Sequence, residues 1–116
     1  MLLNDFYTLD NAHADGNSFS ATIRFNAAHA IFSGHFPGQP VVPGVCMIQI
    51  VKELLEECME RKILLTQAPQ VKFLQLITPE TAPVLLMSWT QEKSDIVLTA
   101  GFKTEKDLFK MSARFC

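Results

Sequence analysis

From Pro43 onward the chain carries a helical pattern whose first half is almost wholly apolar, and this limits what the rest of the sequence can build. Val45, Met47, Ile48, Val51, Leu54, Leu55 and Cys58 make a broad apolar stripe, while Gln49, Glu53, Glu56 and Glu60 follow at helical spacing on another face. Pro43 falls in the first turn, where its missing N–H costs nothing, and the pattern predicts a helix of about 18 residues. Such a helix has to be wrapped by something.

The segments on either side supply the wrapping. Residues 71–77, 84–89, 96–102 and 108–115 all read as strands. Ile96, Leu98, Ala100 and Phe102 alternate cleanly, as do Phe109, Met111, Ala113 and Phe115 beyond the turn-like stretch 103–107. Ahead of the helix, Phe19, Ala21, Ile23 and Phe25 alternate too. Asp15-Gly16 marks a tight turn through which residues 6–9 pair back as a hairpin, and His13 is expected in that turn. The expected fold class is α+β, an antiparallel sheet curled around one long helix. With 116 residues, 48% of them hydrophobic, the chain can bury one real core, so residues 1–116 are expected to form a single domain.

Composition removes several classes of function. The net charge is −2 and the ten basic residues are scattered, which is not the basic stripe that a phosphate backbone demands; no nucleic-acid partner is expected. The longest uncharged apolar run, 41–51, contains Pro43, Gly44 and Gln49 and is too short to cross a bilayer. The N-terminus shows no basic patch followed by an apolar stretch, so the expectation is a cytoplasmic protein without membrane association. Cys46, Cys58 and Cys116 form no C-x-x-C pair and have no His at metal-ligand spacing, which predicts reduced thiols and no metal site. A competing reading makes Cys46 a nucleophile, since the first turn of a helix can lower a thiol pKa.

The stretch 33–44 holds three Pro and three Gly in twelve residues, which forbids regular structure and predicts a rigid, shaped loop. Within it, Gly34-His35-Phe36-Pro37-Gly38-Gln39-Pro40-Val41-Val42-Pro43-Gly44 resembles the signature of the bacterial 3-hydroxyacyl-[acyl carrier protein] dehydratases, G-H-F-P-G-x-P-x-x-P-G, at every fixed position. Val71-Lys72-Phe73-Leu74, with Pro79 beyond it, is similar to the strand and turn that follow the helix in that family. The two matches fall within residues 34–79. It implies a hotdog fold, an obligate dimer with two sites at its interface, and trans-2-enoyl thioesters as products, made in fatty acid or related polyketide or polyene synthesis. It implies an acyl carrier protein as partner and no cofactor. Carrier proteins of this kind are strongly acidic, so Arg61, Lys62 and Lys72 are candidate docking charges.

The matched residues suit that chemistry. Dehydration of a 3-hydroxyacyl thioester needs a base for the C2 proton, an acid for the departing hydroxide and a donor for the carbonyl oxygen. His35 suits the base, because an unperturbed imidazole with pKa of about 6.5 is largely neutral at cytoplasmic pH. Gly44 lies in the first helical turn, where N–H groups lack intrahelical acceptors, and its missing side chain leaves room for the thioester. Phe36, Pro43 and Val45 are the other expected substrate contacts. His29, outside the motif, is expected to be non-catalytic.

One position departs from the family. The residue five beyond Gly44 is the family's acidic residue, with a Gln one helical turn later; here Gln49 holds the acid position and Glu53 the Gln position. An amide has no acidic proton to give. Three readings follow: the acid has moved to Glu53, the protein binds or hydrolyses thioesters with Gln49 positioning water or the carbonyl, or it is a non-catalytic subunit completing another hotdog protein's site. Glu53 also fits a plain water-facing role in the stripe with Gln49, Glu56 and Glu60.

Overall fold

The computed structural model describes residues 1–34 and 38–116. The hairpin comes first: β1 (Tyr7–Asp15) and β2 (Ser18–Phe25) pair antiparallel from Tyr7↔Phe25 to Asp15↔Ser18. The two-residue connection, Gly16 and Asn17, needs a positive φ at its first position, and Gly16 supplies it at +57°. The pairing slips between Asp10 and His13, with Asn11 at φ +53°. His13 is therefore not a turn residue: it lies in β1 opposite Ser20, because the strand runs six residues beyond its expected end at Leu9.

After a short helix α1 (Ala30–Gly34) and the motif loop comes α2 (Gly44–Met59), 16 residues long. Pro43 heads it in an extended conformation, and Glu60, left-handed at φ +56°, ends it. Four strands follow: β3 (Leu65–Phe73), β4 (Val84–Glu92), β5 (Asp95–Lys103) and β6 (Asp107–Phe115). All pairings are antiparallel and the order across the sheet is β1-β2-β4-β5-β6-β3. Alternation decides the faces. Leu85, Met87 and Trp89, then Ile96, Leu98, Ala100 and Phe102, then Phe109, Met111, Ala113 and Phe115 are buried against Ile50, Val51, Leu54 and Leu55 of α2 in one cluster. This is the hotdog arrangement, a six-stranded antiparallel sheet wrapped around one helix.

The strand after the helix lies elsewhere than the apolar pattern predicts: it covers Leu65–Phe73 instead of 71–77. It is an edge strand, almost wholly exposed, so alternation is weak there, and register breaks on both sides of Gln67 accommodate Pro69. The apolar run beyond Phe73 leaves the sheet. Leu74 and Gln75 donate their N–H groups to the Leu108 carbonyl, and the Ile77 carbonyl accepts from Val42 N at 2.7 Å, tying this strap to the motif loop. Among the described residues, no helix is long and apolar enough to cross a membrane.

Burial of α2 carries much of the stability. Ile50, fully buried on the helix, should lose about 2–5 kcal/mol on Ile50→Ala, read from urea denaturation midpoints. Val45, exposed on the same helix, should change stability by no more than about 0.5 kcal/mol on Val45→Ala.

Candidate active site at the start of the central helix

The motif loop, the first turn of α2 and the strap after β3 meet around a groove of about 360 Å³, lined by Val41 to Gly44, Met47 and residues 73–77. Pro43 turns the chain into the helix, and its carbonyl accepts from Cys46 N at 3.0 Å. The N–H groups of Gly44 and Val45 therefore head the helix with no acceptor of their own inside it. Gly44 is required for a close approach: a β-carbon there would lie 2.5 Å from Cε1 of Phe73. The room above Gly44, expected to admit a thioester, is taken in this chain by the Phe73 ring, which is itself 56% exposed. Phe73 is a wall of the groove that periodicity did not single out. The signal available was its place in the Val71-Lys72-Phe73-Leu74 match. A larger groove of about 590 Å³ crosses the outer face of the sheet among Ser20, Ser88, Thr99, Lys110 and Ser112; it shares no residue with the motif or α2 and is the face such a sheet leaves to water.

About two and a half turns into α2, the polar stripe turns inward. Glu53 is only 1% exposed, so the water-facing reading of that residue does not hold. Its Oε2 accepts from Leu2 N at 2.7 Å and Gln49 Nε2 at 3.0 Å; its Oε1 accepts from Leu3 N and from the Tyr7 hydroxyl, both at 3.0 Å. Burial alone would raise the carboxyl pKa, but the four donors outweigh it and hold the group below the usual carboxylate range. Burial first, and then the Glu53 charge, push the Tyr7 phenol far above its ordinary pKa, so it stays a donor. The stripe divides further along: Glu56 accepts from Ile63 N at 3.0 Å beside Lys52, while Glu60 is exposed.

The other expected residues are distributed as follows. His35 and Phe36 lie outside the described residues. Pro43 and Gly44 line the groove, whereas Val45 is 75% exposed and points away from the core. Cys46 is buried, and burial pushes its thiol pKa up, which disfavours the thiolate a nucleophile needs. His29 is held outside the groove, its Nε2 3.1 Å from Asp5 Oδ2 and its Nδ1 accepting from Ile31 N. Among the described residues, no three His, Cys, Asp or Glu side chains gather as a metal site. Arg61, Lys62 and Lys72 are exposed, and Lys72 stands directly opposite Lys110 across the β3–β6 pair.

Comparison with known proteins places this geometry among its relatives. The ApeI dehydratase family model matches residues 11–112. Two curated 3-hydroxyacyl-[acyl-carrier-protein] dehydratases, both named FabZ, are similar in sequence. That from Wolbachia pipientis is 32% identical over 77 residues, 60% of this chain and 54% of the relative; that from Clostridium acetobutylicum is 34% identical over 56 residues, 42% and 40% of the two chains. The matched stretch thus spans about half the length of these curated relatives. In fold, the chain is similar to the dehydratase heterocomplex ApeI:P from Xenorhabdus doucetiae, with a TM-score of 0.74 and 19% identity over 93% of this chain and 96% of that one. It is also similar to an uncharacterized protein from Erwinia carotovora, with a TM-score of 0.71 and 17% identity over 93% and 91% of the two chains.

The carboxylate cluster has a signature in pH. Because the folded-state pKa of Glu53 is depressed, the stability it contributes is fully present above the usual carboxylate pKa of about 4.3 and is lost as pH falls through the lower folded value. Glu53→Gln should cost about 2–3 kcal/mol near pH 7 and flatten the loss of stability between about pH 5 and 3, measured by urea titration. Identical acid limbs in wild type and variant would show that the four hydrogen bonds do not hold the charged form.

Proposed function

This chain belongs to the ApeI-like dehydratase family, and from that premise we propose that it acts on 3-hydroxyacyl thioesters borne by an acyl carrier protein, in a hotdog dimer whose second chain supplies the general acid. The observation that carries the proposal is the state of Glu53. A general acid must hold a proton and have it free to transfer; this carboxylate is ionised, and both its oxygens are occupied by neutral donors. Gln49, in the acid position, has no acidic proton either. What the chain retains is the motif histidine His35 as base and the head of α2 as donor to the thioester carbonyl. Elimination of water then needs an acid from another chain.

Two features support a partner. Strand β3 leaves one sheet edge unpaired, and exposed Phe73, Leu74 and Leu76 crowd the mouth of the groove, an apolar rim beside an open edge. The fold neighbour from Xenorhabdus doucetiae is a dehydratase heterocomplex. A homodimer of this chain would carry Gln49 in both sites; a heterodimer with an acid-bearing hotdog chain would complete at least one. Lys72, exposed on β3, is a positive charge of the kind an acidic carrier protein would meet, while Lys110 opposite it is paired with Asp107 at 3.3 Å.

The deciding assay follows 3-hydroxyacyl thioesters, on carrier protein and on coenzyme A, with this protein alone and with any hotdog protein encoded beside it. The expected result is little dehydration alone, dehydration with the companion, and a loss of about 10²–10⁴ in rate on His35→Ala in this chain. Full dehydration by the protein alone, abolished by Glu53→Gln, would return the acid to this chain; release of free thiol without dehydration would make it a thioesterase. Sedimentation at micromolar concentration should show a dimer with itself or the companion, and a lone 13.0 kDa species under both conditions would remove the shared site.

A further inference from the structure

The groove at the start of α2 is almost wholly apolar. Among the described residues that line it, only Gln75 has a polar side chain; Val41, Val42, Met47 and Ile77 are buried, while Leu74 and Leu76 are exposed. A trough of this kind suits a hydrocarbon chain and offers a charged or sugar-like ligand little to bond with. One of its walls, the strap 74–77, is fixed at both ends. The N–H groups of Leu74 and Gln75 donate to the Leu108 carbonyl at 2.9 and 3.2 Å, and the Ile77 carbonyl accepts from Val42 N at 2.7 Å. A wall held in this way does not spread to suit a longer ligand.

Phe73 stands where β3 meets the head of the helix. Its ring is tilted at 60° to that of Phe109, with centroids 5.3 Å apart, and a β-carbon on Gly44 would lie 2.5 and 2.7 Å from its Cε1 and Cζ. The ring is therefore wedged between the sheet and the helix backbone. Phe73 lines the groove, whereas Phe109, fully buried behind it, is not among the described lining residues. One aromatic ring thus separates the groove from the core around Phe109.

We infer that Phe73 is a specificity-determining residue: its ring closes the groove against the core and sets the longest acyl chain that this chain's site accepts. The inference rests on the reading of the groove as a thioester site and adds which residue measures the acyl group. Each methylene laid along the apolar walls leaves water, so affinity grows with length. Once the chain end meets the ring, further methylenes either stay in water or press on a packed aromatic, and the gain stops.

The test is a ladder of saturated acyl-pantetheines, from butyryl to dodecanoyl in two-carbon steps, titrated calorimetrically into the full chain, with its companion where one is required and the companion alone as blank. Wild-type affinity should rise roughly tenfold per step and then level off or fall before dodecanoyl. Phe73→Ala should carry the rise through dodecanoyl, increasing the dodecanoyl-to-butyryl affinity ratio by about tenfold or more, and Phe73→Trp should move the break to a shorter chain. Phe73→Leu keeps an apolar contact with Phe109 should the alanine variant fail to fold, and it too should lengthen the accepted chain. A wild-type affinity that climbs evenly through dodecanoyl, or a break at the same length in wild type and the folded variants, would overturn the role of Phe73 while leaving the thioester site standing. Failure of every acyl-pantetheine to bind would remove the site, and the inference with it.

Discussion

An apolar helix in a chain of this size cannot be left in water, and the sheet exists in its present form because it has to close around α2. The inward rows of β4, β5 and β6, Leu85, Leu98 with Phe102, and Phe109 among them, form one buried cluster with Ile50, Leu54 and Leu55 of the helix. Everything functional follows from that wrap. The strap after β3 is brought to the start of the helix by hydrogen bonds to Leu108 and Val42.

Against that background a buried carboxylate is the least expected feature of the core. Taking an isolated carboxylate out of water costs far more than a domain can spare, and the usual solution is a cation. Here all four donors are neutral, two of them backbone N–H groups at the start of the chain. The arrangement ties Leu2 and Leu3 to the middle of the central helix. The same four bonds hold its carboxyl below the usual carboxylate range.

Phe73 and Gly44 show the same economy at the groove. The room a glycine leaves at the head of α2 is filled by the chain's own Phe73 ring, at the end of β3, half-exposed and beside an open sheet edge. A partner chain that covered this edge would meet Phe73, Leu74 and Leu76 directly, so the shape of the groove and the presence of a partner are coupled.

Much of this was legible in the sequence, for a physical reason. Helical and strand periods are local properties, so the buried stripe of α2 and the alternation from Ile96 to Phe115 could be read directly, and β4, β5 and β6 fall within about three residues of where the pattern puts them. The dense Pro and Gly spacing of 33–44 marked an irregular stretch, which residues 38–43 are while Ser33 and Gly34 belong to α1, and, through its resemblance, the family. What the pattern could not carry was anything decided between distant segments. Strand β3 was misplaced because an exposed edge strand does not need alternation, and its pairing with β6 was chosen by the sheet. Glu53 looked like one more charge on a solvated face, because three of its four donors come from residues 46, 50 and 51 positions away and two of these are backbone groups that every sequence possesses. Residue identity determined that the helix would be buried and that an amide stands in the acid's place; only the tertiary fold decided that the neighbouring carboxylate would be sealed, ionised and turned into the holder of that amide.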